Sequence, residues 1–292
     1  MSENIDIFAE EITKEPTKNT ITNSPFNYTG SKFKLLEQLL LHFDYTKENF
    51  VDLFAGGGSV YSNIVDKYKR IYINDIIRDL IEIHHEIIYK TSETIEEVKL
   101  TVVNKDDQEG YHKLRDSYND NPTPIKLYAL MLCCTNNMMR FNKDFKFNQT
   151  FGKRSFNPKT EEKILNFAEK IKPYKDNLIF SSTSFKSFVV PDNSFVYIDP
   201  PYSNTEAGYN SYWNKDDDVK LFEYCKELHK RGITFAVSGV EINEEKECKL
   251  LNLLHSEKDF NRIELEFNYN KVSRAGSKDF KEILITNYER TY

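Results

Sequence analysis

The stretch Phe195-Val196-Tyr197-Ile198-Asp199-Pro200-Pro201-Tyr202 decides the fold. Val, Tyr and Ile favour a buried strand, and two consecutive prolines cannot donate to a sheet ladder, so the strand has to stop at Asp199. In an open α/β sheet the carboxyl end of a strand is where ligands bind. Each proline ring also fixes φ at about −65°, which holds Asp199 and Tyr202 in a set relation at low entropic cost. A strand followed by a plain proline turn is the alternative reading of these eight residues taken alone.

Working outward, residues 49 to 55 (Asn-Phe-Val-Asp-Leu-Phe-Ala) read as a second buried strand, running straight into Gly56-Gly57-Gly58-Ser59 and a helix over 60–68. Glycines let the backbone turn sharply and approach a ligand, and the helix that follows points its first N–H groups at whatever sits there. The spacing is not the Gly-x-Gly-x-x-Gly of dinucleotide binders, and a tight turn without a ligand explains it too. A third strand over 70–74 ends at Asp75, where a Rossmann-like unit places an acid on ribose hydroxyls; Asp75 also suits the N-cap of a helix starting at Ile76. Upstream, Pro25-Phe26-Asn27-Tyr28-Thr29-Gly30-Ser31-Lys32 forms a short glycine-bearing loop ahead of an amphipathic helix through Phe33, Leu36, Leu39, Leu40 and Phe43. Residues 1–24 read as a flexible tail.

Between residues 79 and 175 the pattern changes to helices, over 76–90, 93–103, 108–118 and 124–137, and then to a segment, 136–154, that interleaves Asn, aromatic and basic residues. Arg pairs with guanine in the major groove, Asn with adenine and Lys with phosphate, while Phe can wedge or stack. A solvated hairpin with an aromatic packing face is the competing reading. The sheet resumes over 177–181, continues through the opening stretch and, after a helix over 216–230, through 234–238. It closes with an antiparallel pair over 263–269 and 282–288, with the basic tip Ser273-Arg274-Ala275-Gly276-Ser277-Lys278 between them.

A chain of 292 residues accommodates one large domain carrying a sizeable insertion. It has no apolar run long enough for a bilayer and no signal-peptide pattern, so a soluble, cytoplasmic protein is expected, with no membrane partner. The four cysteines and six histidines have no metal-ligand spacing, so no metal is expected. The net charge of −6 hides an asymmetry. Residues 138–175 hold ten bases against four acids, which puts a basic face on an acidic body.

Taken in order, these pieces resemble the Dam-like (D12 class) DNA adenine-N6 methyltransferases. The resemblance rests on Tyr28-Thr29-Gly30-Ser31-Lys32, on Asp52-Leu53-Phe54-Ala55-Gly56-Gly57-Gly58, on Asn74-Asp75, and on Arg140-Phe141-Asn142 followed by Phe147-Asn148-Gln149-Thr150-Phe151-Gly152. It also rests on Asp199-Pro200-Pro201-Tyr202 and on the closing Leu-Ile-Thr-Asn-Tyr strand. It implies an α/β fold, a Rossmann-like S-adenosylmethionine-dependent methyltransferase sheet with a mostly helical inserted target-recognition domain. The catalytic domain would span 25–78 and 176–292, and the DNA-binding insertion 79–175.

The implied activity is methyl transfer from S-adenosyl-L-methionine to the N6 of an adenine flipped from double-stranded DNA, in a bacterial or phage setting, with a cognate restriction endonuclease not established. The resemblance assigns catalysis to Asp199, Pro200 and Tyr202. It assigns the cofactor to Tyr28, Lys32, Asp52, Phe54, Gly56, Gly58, Asp75, Ser184 and Phe185, with Lys32 near the methionine carboxylate. DNA falls to Arg140, Asn142, Lys146, Asn148, Lys153, Arg154, Arg274 and Lys278. One departure stands out: the family commonly carries Asp where Ser184 precedes Phe185, which implies weakened cofactor binding. Cytosine-N4 methyltransferases more often carry Ser in place of Asp199, and RNA or protein methyltransferases Asn. A DNA-binding protein without cofactor affinity is the rival from another class.

Overall fold

The strand over Ser194–Ile198 is buried at every residue and lies at the centre of a seven-stranded sheet. In the computed structural model, which describes residues 21–28, 30–201, 213–242, 248–266 and 280–289, the strands are β1 (Asn49–Asp52), β2 (Arg70–Asn74), β3 (Leu178–Ser181), β4 (Ser194–Ile198), β5 (Thr234–Ile242), β6 (Asn261–Leu265) and β7 (Phe280–Thr286). Their order is β3-β2-β1-β4-β5-β7-β6. The pairs from β3 to β5 are parallel, while β7 runs antiparallel to both β5 and β6. From β1 the chain builds outward to β2 and β3 on one side, and from β4 outward on the other. The order therefore reverses between β1 and β4, and a crevice opens beyond their carboxyl ends.

Alternation along the strands builds two cores. Phe195 and Tyr197 of β4, with Phe50 of β1, face one apolar layer, and Val196 and Ile198, with Val51, face the other. The second layer is closed by α7 (Lys215–Lys230) and α8 (Lys249–His255) through Leu221, Cys225, Leu250 and Leu254. The first is covered by α1 (Leu36–Leu40), α2 (Arg78–Tyr89) and α6 (Pro158–Ile171). The same core continues into α3 (Thr91–Thr101), α4 (Gln108–Asp120) and α5 (Pro124–Cys133), so the helical segment shares its apolar interior with the sheet.

Several elements differ from the sequence reading. The helix expected over 60–68 is a short 3₁₀ turn, Tyr61–Asn63. The helix through Phe33 to Phe43 is broken into a 3₁₀ turn, Lys32–Lys34, and the five-residue α1. The helix expected to reach 137 ends at Cys133, because Cys134 turns extended (φ −81°, ψ 165°), and Asn136 and Asn137 beyond it adopt left-handed φ of 58° and 54°. The end of the supposed tail is fixed in place. The Thr22 N–H donates to Asn63 Oδ1 at 2.7 Å, and Ser24, 1% exposed, donates to the Gly57 carbonyl at 2.6 Å. Residues 1–20 lie outside the described residues.

Candidate active site

β1 and β4 deliver two acids to the crevice: Asp52 ends β1, and Asp199 follows the last residue of β4. The Asp199 carboxylate is pinned from two sides. Lys32, 5% exposed, places Nζ 2.9 Å from Asp199 Oδ1, and Ser238 Oγ donates to the same oxygen at 3.0 Å. Ser238 stands there because β5 pairs with β4 in a register that sets Val237 opposite Ile198. Its one hydroxyl hydrogen goes to Asp199, so the Tyr197 phenol, 2.8 Å away, donates to Ser238 Oγ. Burial and the nearby Asp199 charge push the Tyr197 phenol well above its ordinary range, which keeps it a donor.

One pocket gathers Tyr28, Lys32, Asp52, Phe54, Gly56, Asp75, Ser184, Phe185, Asp199 and Pro200. Gly58 supports it from behind. Gly56 and Gly58 have φ of 49° and 75°, and a Cβ on Gly58 would lie 2.6 Å from His84 Cε1. On Gly56 it would lie 2.8 Å from Tyr28 Cε1, so the glycines admit an aromatic ring on one side and an imidazole on the other. His84 is fully buried on α2, and its Nε2 is 2.9 Å from the Gly56 carbonyl while Nδ1 is 2.9 Å from the Tyr61 hydroxyl. A carbonyl only accepts, so Nε2 carries the proton and Nδ1 accepts from Tyr61. Burial holds the His84 pKa down at about 4, so the ring is neutral and this tautomer is fixed.

Asp75 braces the same loop: Oδ2 accepts from the Gly56 N–H and Oδ1 from the Ile77 N–H, both at 3.0 Å. Burial raises its pKa, opposed by these N–H groups. Asp52 is in the least balanced position. Burial first, then the Asp199 charge, push it up to about 8 against the pull of the Tyr61 N–H, and its Oδ2 is buried without a hydrogen-bond partner. An orphaned carboxylate oxygen in a pocket calls for a ligand cation or donor. Phe54, Phe185 and Trp213 form an aromatic wall, with ring centroids 5.5 to 5.8 Å apart. An ammonium for Asp52, hydroxyls for Asp75 and an aromatic base against this wall describe a ligand of the S-adenosylmethionine type, so the residues fit that group.

Lys32 lies beside the Asp199 carboxylate, where the sequence reading put it near a methionine carboxylate. The residue types of 136–154 also behave differently from their reading as base readers. Arg140 donates from Nε to Asn148 Oδ1 at 2.9 Å and from Nη2 to the Asn148 carbonyl at 2.8 Å. Asn142 Oδ1 accepts from the N–H groups of Asp144 and Lys146, as a turn-forming Asn does. Arg140, Asn142 and Asn148 thus hold the hairpin together, and Lys146 is exposed on it. Lys153 and Arg154 line a separate cleft. Tyr202, Arg274 and Lys278 lie outside the described residues.

The sequence reading missed Ser238, His84 and Trp213. Ser238 had a signal, since the sequence reading stops a buried strand on this polar residue; the strand in fact runs on to Ile242, and Ser238 lies within it beside β4. His84 had none, because it lies on the apolar face of α2 among Leu80, Ile83 and Ile87.

Among the described residues, no group of three or more His, Cys, Asp or Glu could hold a metal ion, and no helix is long and apolar enough to cross a membrane. The modification methylase StsI of Streptococcus sanguinis is 34% identical over 287 residues, covering 91% of this chain and 43% of that protein. The type II methyltransferase M.FokI of Planomicrobium okeanokoites is 32% identical over 298 residues, covering 95% and 44%. The chain therefore spans less than half the length of these two relatives. The DNA adenine methylase of Escherichia coli K12 is 28% identical over 227 residues, covering 73% of this chain and 78% of that protein. The profile of the D12 class N6 adenine-specific DNA methyltransferases matches residues 28–271, from the Tyr28 loop past β6, and the chain belongs to that family, which uses a methyl donor of the S-adenosylmethionine type.

Proposed function

We propose that this chain transfers a methyl group from S-adenosyl-L-methionine to the N6 amino group of an adenine flipped out of duplex DNA. The observation that carries the reading is the Asp199 carboxylate, held by Lys32 and Ser238 at the switch point beside a pocket suited to the cofactor. Adenine N6 is a poor nucleophile because its lone pair is delocalised into the ring. The Asp199 carboxylate and the Pro200 carbonyl each accept one N6 hydrogen, which favours a pyramidal nitrogen and stabilises the positive charge that develops on it. The grip of Lys32 and Ser238 on Oδ1 sets the rotation of the carboxylate before the base arrives, so little reorganisation is left for the reaction. The bound cofactor supplies an electrophilic methyl group on a sulfonium.

Asp52 takes the cofactor's ammonium, Asp75 its ribose hydroxyls and Ser184 its adenine amino group, between Phe54 and Phe185. Tyr28, Gly56 and Gly57, which line the same pocket, would help to hold it, with Gly58 shaping the turn. Extrusion of the target adenine costs a few kcal/mol, and stacking on Tyr202 offsets it. Lys146, Lys153 and Arg154, with Arg274 and Lys278, take phosphates, and the span 79–175 serves as the target-recognition unit. The relatives' names, modification methylase and type II methyltransferase, support a cytoplasmic role in protecting DNA beside a restriction endonuclease. Asp199→Asn keeps the shape and removes the carboxylate's charge. Methyl transfer to duplex DNA should fall by about 10²- to 10³-fold with cofactor binding retained, and full activity in this variant overturns the assignment.

A further inference from the structure

A second cleft, of about 580 Å³, adjoins the cofactor pocket along the Pro25–Tyr28 segment. Asn27 lines the cleft, and Tyr28, the next residue, lines the pocket. The fourteen residues of its lining include Lys105, Lys153, Arg154 and Lys163 and not one acid, on a chain whose net charge is −6. Among the described residues none of these four cations pairs with a carboxylate, whereas neighbouring Lys99 is matched by Glu96 and Glu161. Neutral amides orient two of them instead. Arg154 Nη1 donates to Asn137 Oδ1 at 2.6 Å, and Lys163 Nζ to Asn27 Oδ1 at 2.7 Å. An amide oxygen fixes the direction of a cation without cancelling its charge, which an acid would do.

The backbone is strained at the same place. Asn137 and Lys153 both have φ of 54°, a left-handed conformation that is strained for a non-glycine residue and that clusters at ligand-holding sites. Lys163 lies in the second turn of α6, whose first N–H groups are capped by Asn157, also in the cleft lining. α6 is followed by β3, whose amino end lies at the opposite edge of the sheet from the pocket. The start of α6 is therefore on the pocket's side.

We propose that this cleft binds the sugar–phosphate backbone of the DNA substrate, with Lys105, Lys153, Arg154 and Lys163 on phosphates, while the target base occupies the neighbouring pocket. Lys105 and Lys163 are the new members of the DNA-binding surface. The proposal rests on the reading of the chain as a DNA methyltransferase. It commits to duplex DNA, because an unneutralised row of cations beside a base-accepting pocket matches a polyanion continuous with that base.

The test uses the full chain, its Lys105→Gln and Lys163→Gln variants and the double variant, with affinity for a labelled duplex followed by anisotropy over a salt series. Each substitution should lower the magnitude of the slope of log affinity against log salt by about 0.9, and the double variant by about twice that. Cofactor affinity, measured by calorimetry, should stay at the parent's value. Unchanged slopes in both single variants overturn the proposal. So does weaker DNA binding with an unchanged slope, which marks a packing defect. Loss of pyrophosphate binding with DNA slopes unchanged assigns the cleft to a free phosphate compound and overturns it too. A parent chain that moves no methyl group to adenine while the slopes respond refutes the methyltransferase reading and leaves the DNA contact standing. Active methyl transfer with unresponsive slopes does the reverse.

Discussion

In the pocket at the ends of β1 and β4, Lys32 is 5% exposed and sits 2.9 Å from Asp199, and Asp52 and Asp75 are buried, Asp75 with two backbone N–H donors and Asp52 with one oxygen unmatched. In the cleft beside α6, Lys105, Lys153 and Arg154 are exposed, and none of them has an acid partner among the described residues. The two regions meet at adjacent residues, Asn27 and Tyr28, yet use charge in opposite ways. Buried charges are hard to move and feel little screening by salt, so they suit a task that needs one geometry. Exposed, unneutralised cations act at a distance and lose force as salt rises. The pocket should therefore govern turnover and the cleft the salt dependence of binding.

The strongest separation is expected from Asp199→Asn, whose loss of turnover should come with a DNA salt slope equal to the parent's. A flattened slope in that variant would merge the two regions into one electrostatic unit. Next in size is Asp52→Asn. Asp52 titrates at about 8 in the folded protein against an ordinary 3.8. Between those values the folded state holds a proton that the unfolded state has lost, so stability falls as pH rises through that window. The melting temperature of the cofactor-free parent should drop from pH 5 to pH 8, and Asp52→Asn should flatten the drop. If Asp52 receives the cofactor's ammonium, binding at pH 7 should release a proton, visible as a buffer-dependent heat in calorimetry. A heat independent of buffer would remove Asp52 from that role.

His84 gives a smaller effect of opposite sign. Its folded pKa of about 4 lies below the ordinary 6.5, so stability rises with pH through that interval and is lost as pH falls through it. His84→Leu removes the donor to Gly56 and should cost about 1 to 3 kcal/mol while raising the KM for cofactor more than it lowers kcat. His84→Gln, which can still donate to the carbonyl, should recover much of the KM, whereas equal KM values in both variants would reduce His84 to packing. The smallest change is expected from Ser184→Asp, which should tighten cofactor binding by about 1 kcal/mol by restoring a charged acceptor. Cofactor binding no tighter than the parent's would contradict that role for Ser184.

Much of the fold was legible because β4 carries its own punctuation: an apolar run closed by two prolines has one sensible placement in an α/β sheet. Of the antiparallel pair, β6 was legible from the alternation of Ile263, Glu264, Leu265 and Glu266, and β7 from its continuous apolar run Ile283-Leu284-Ile285. The 60–68 segment misled because Val60, Tyr61, Ser62, Asn63, Ile64 and Val65 are all buried, so it lacks the one-sided periodicity that separates a helix from a packed irregular turn. In the site, residues that act by facing the pocket were readable from motif and position. Contacts between distant segments were not: nothing in Lys32 announces Asp199, and nothing in His84 announces Gly56. Arg140 and Asn142 show the limit most plainly. Their side chains suit DNA bases, but the same chemistry serves the hairpin's own backbone, and only the folded geometry decides which partner is nearer.

The most direct test of the central claim is the identity of the methylated nucleoside. Duplex DNA incubated with the purified chain and S-adenosyl-L-methionine, then digested and resolved by mass, should contain N6-methyladenine, formed about 10²- to 10³-fold more slowly by Asp199→Asn. N4-methylcytosine in its place, or N6-methyladenine formed equally fast by the variant, would contradict the account of Asp199 as the clamp on an adenine amino group.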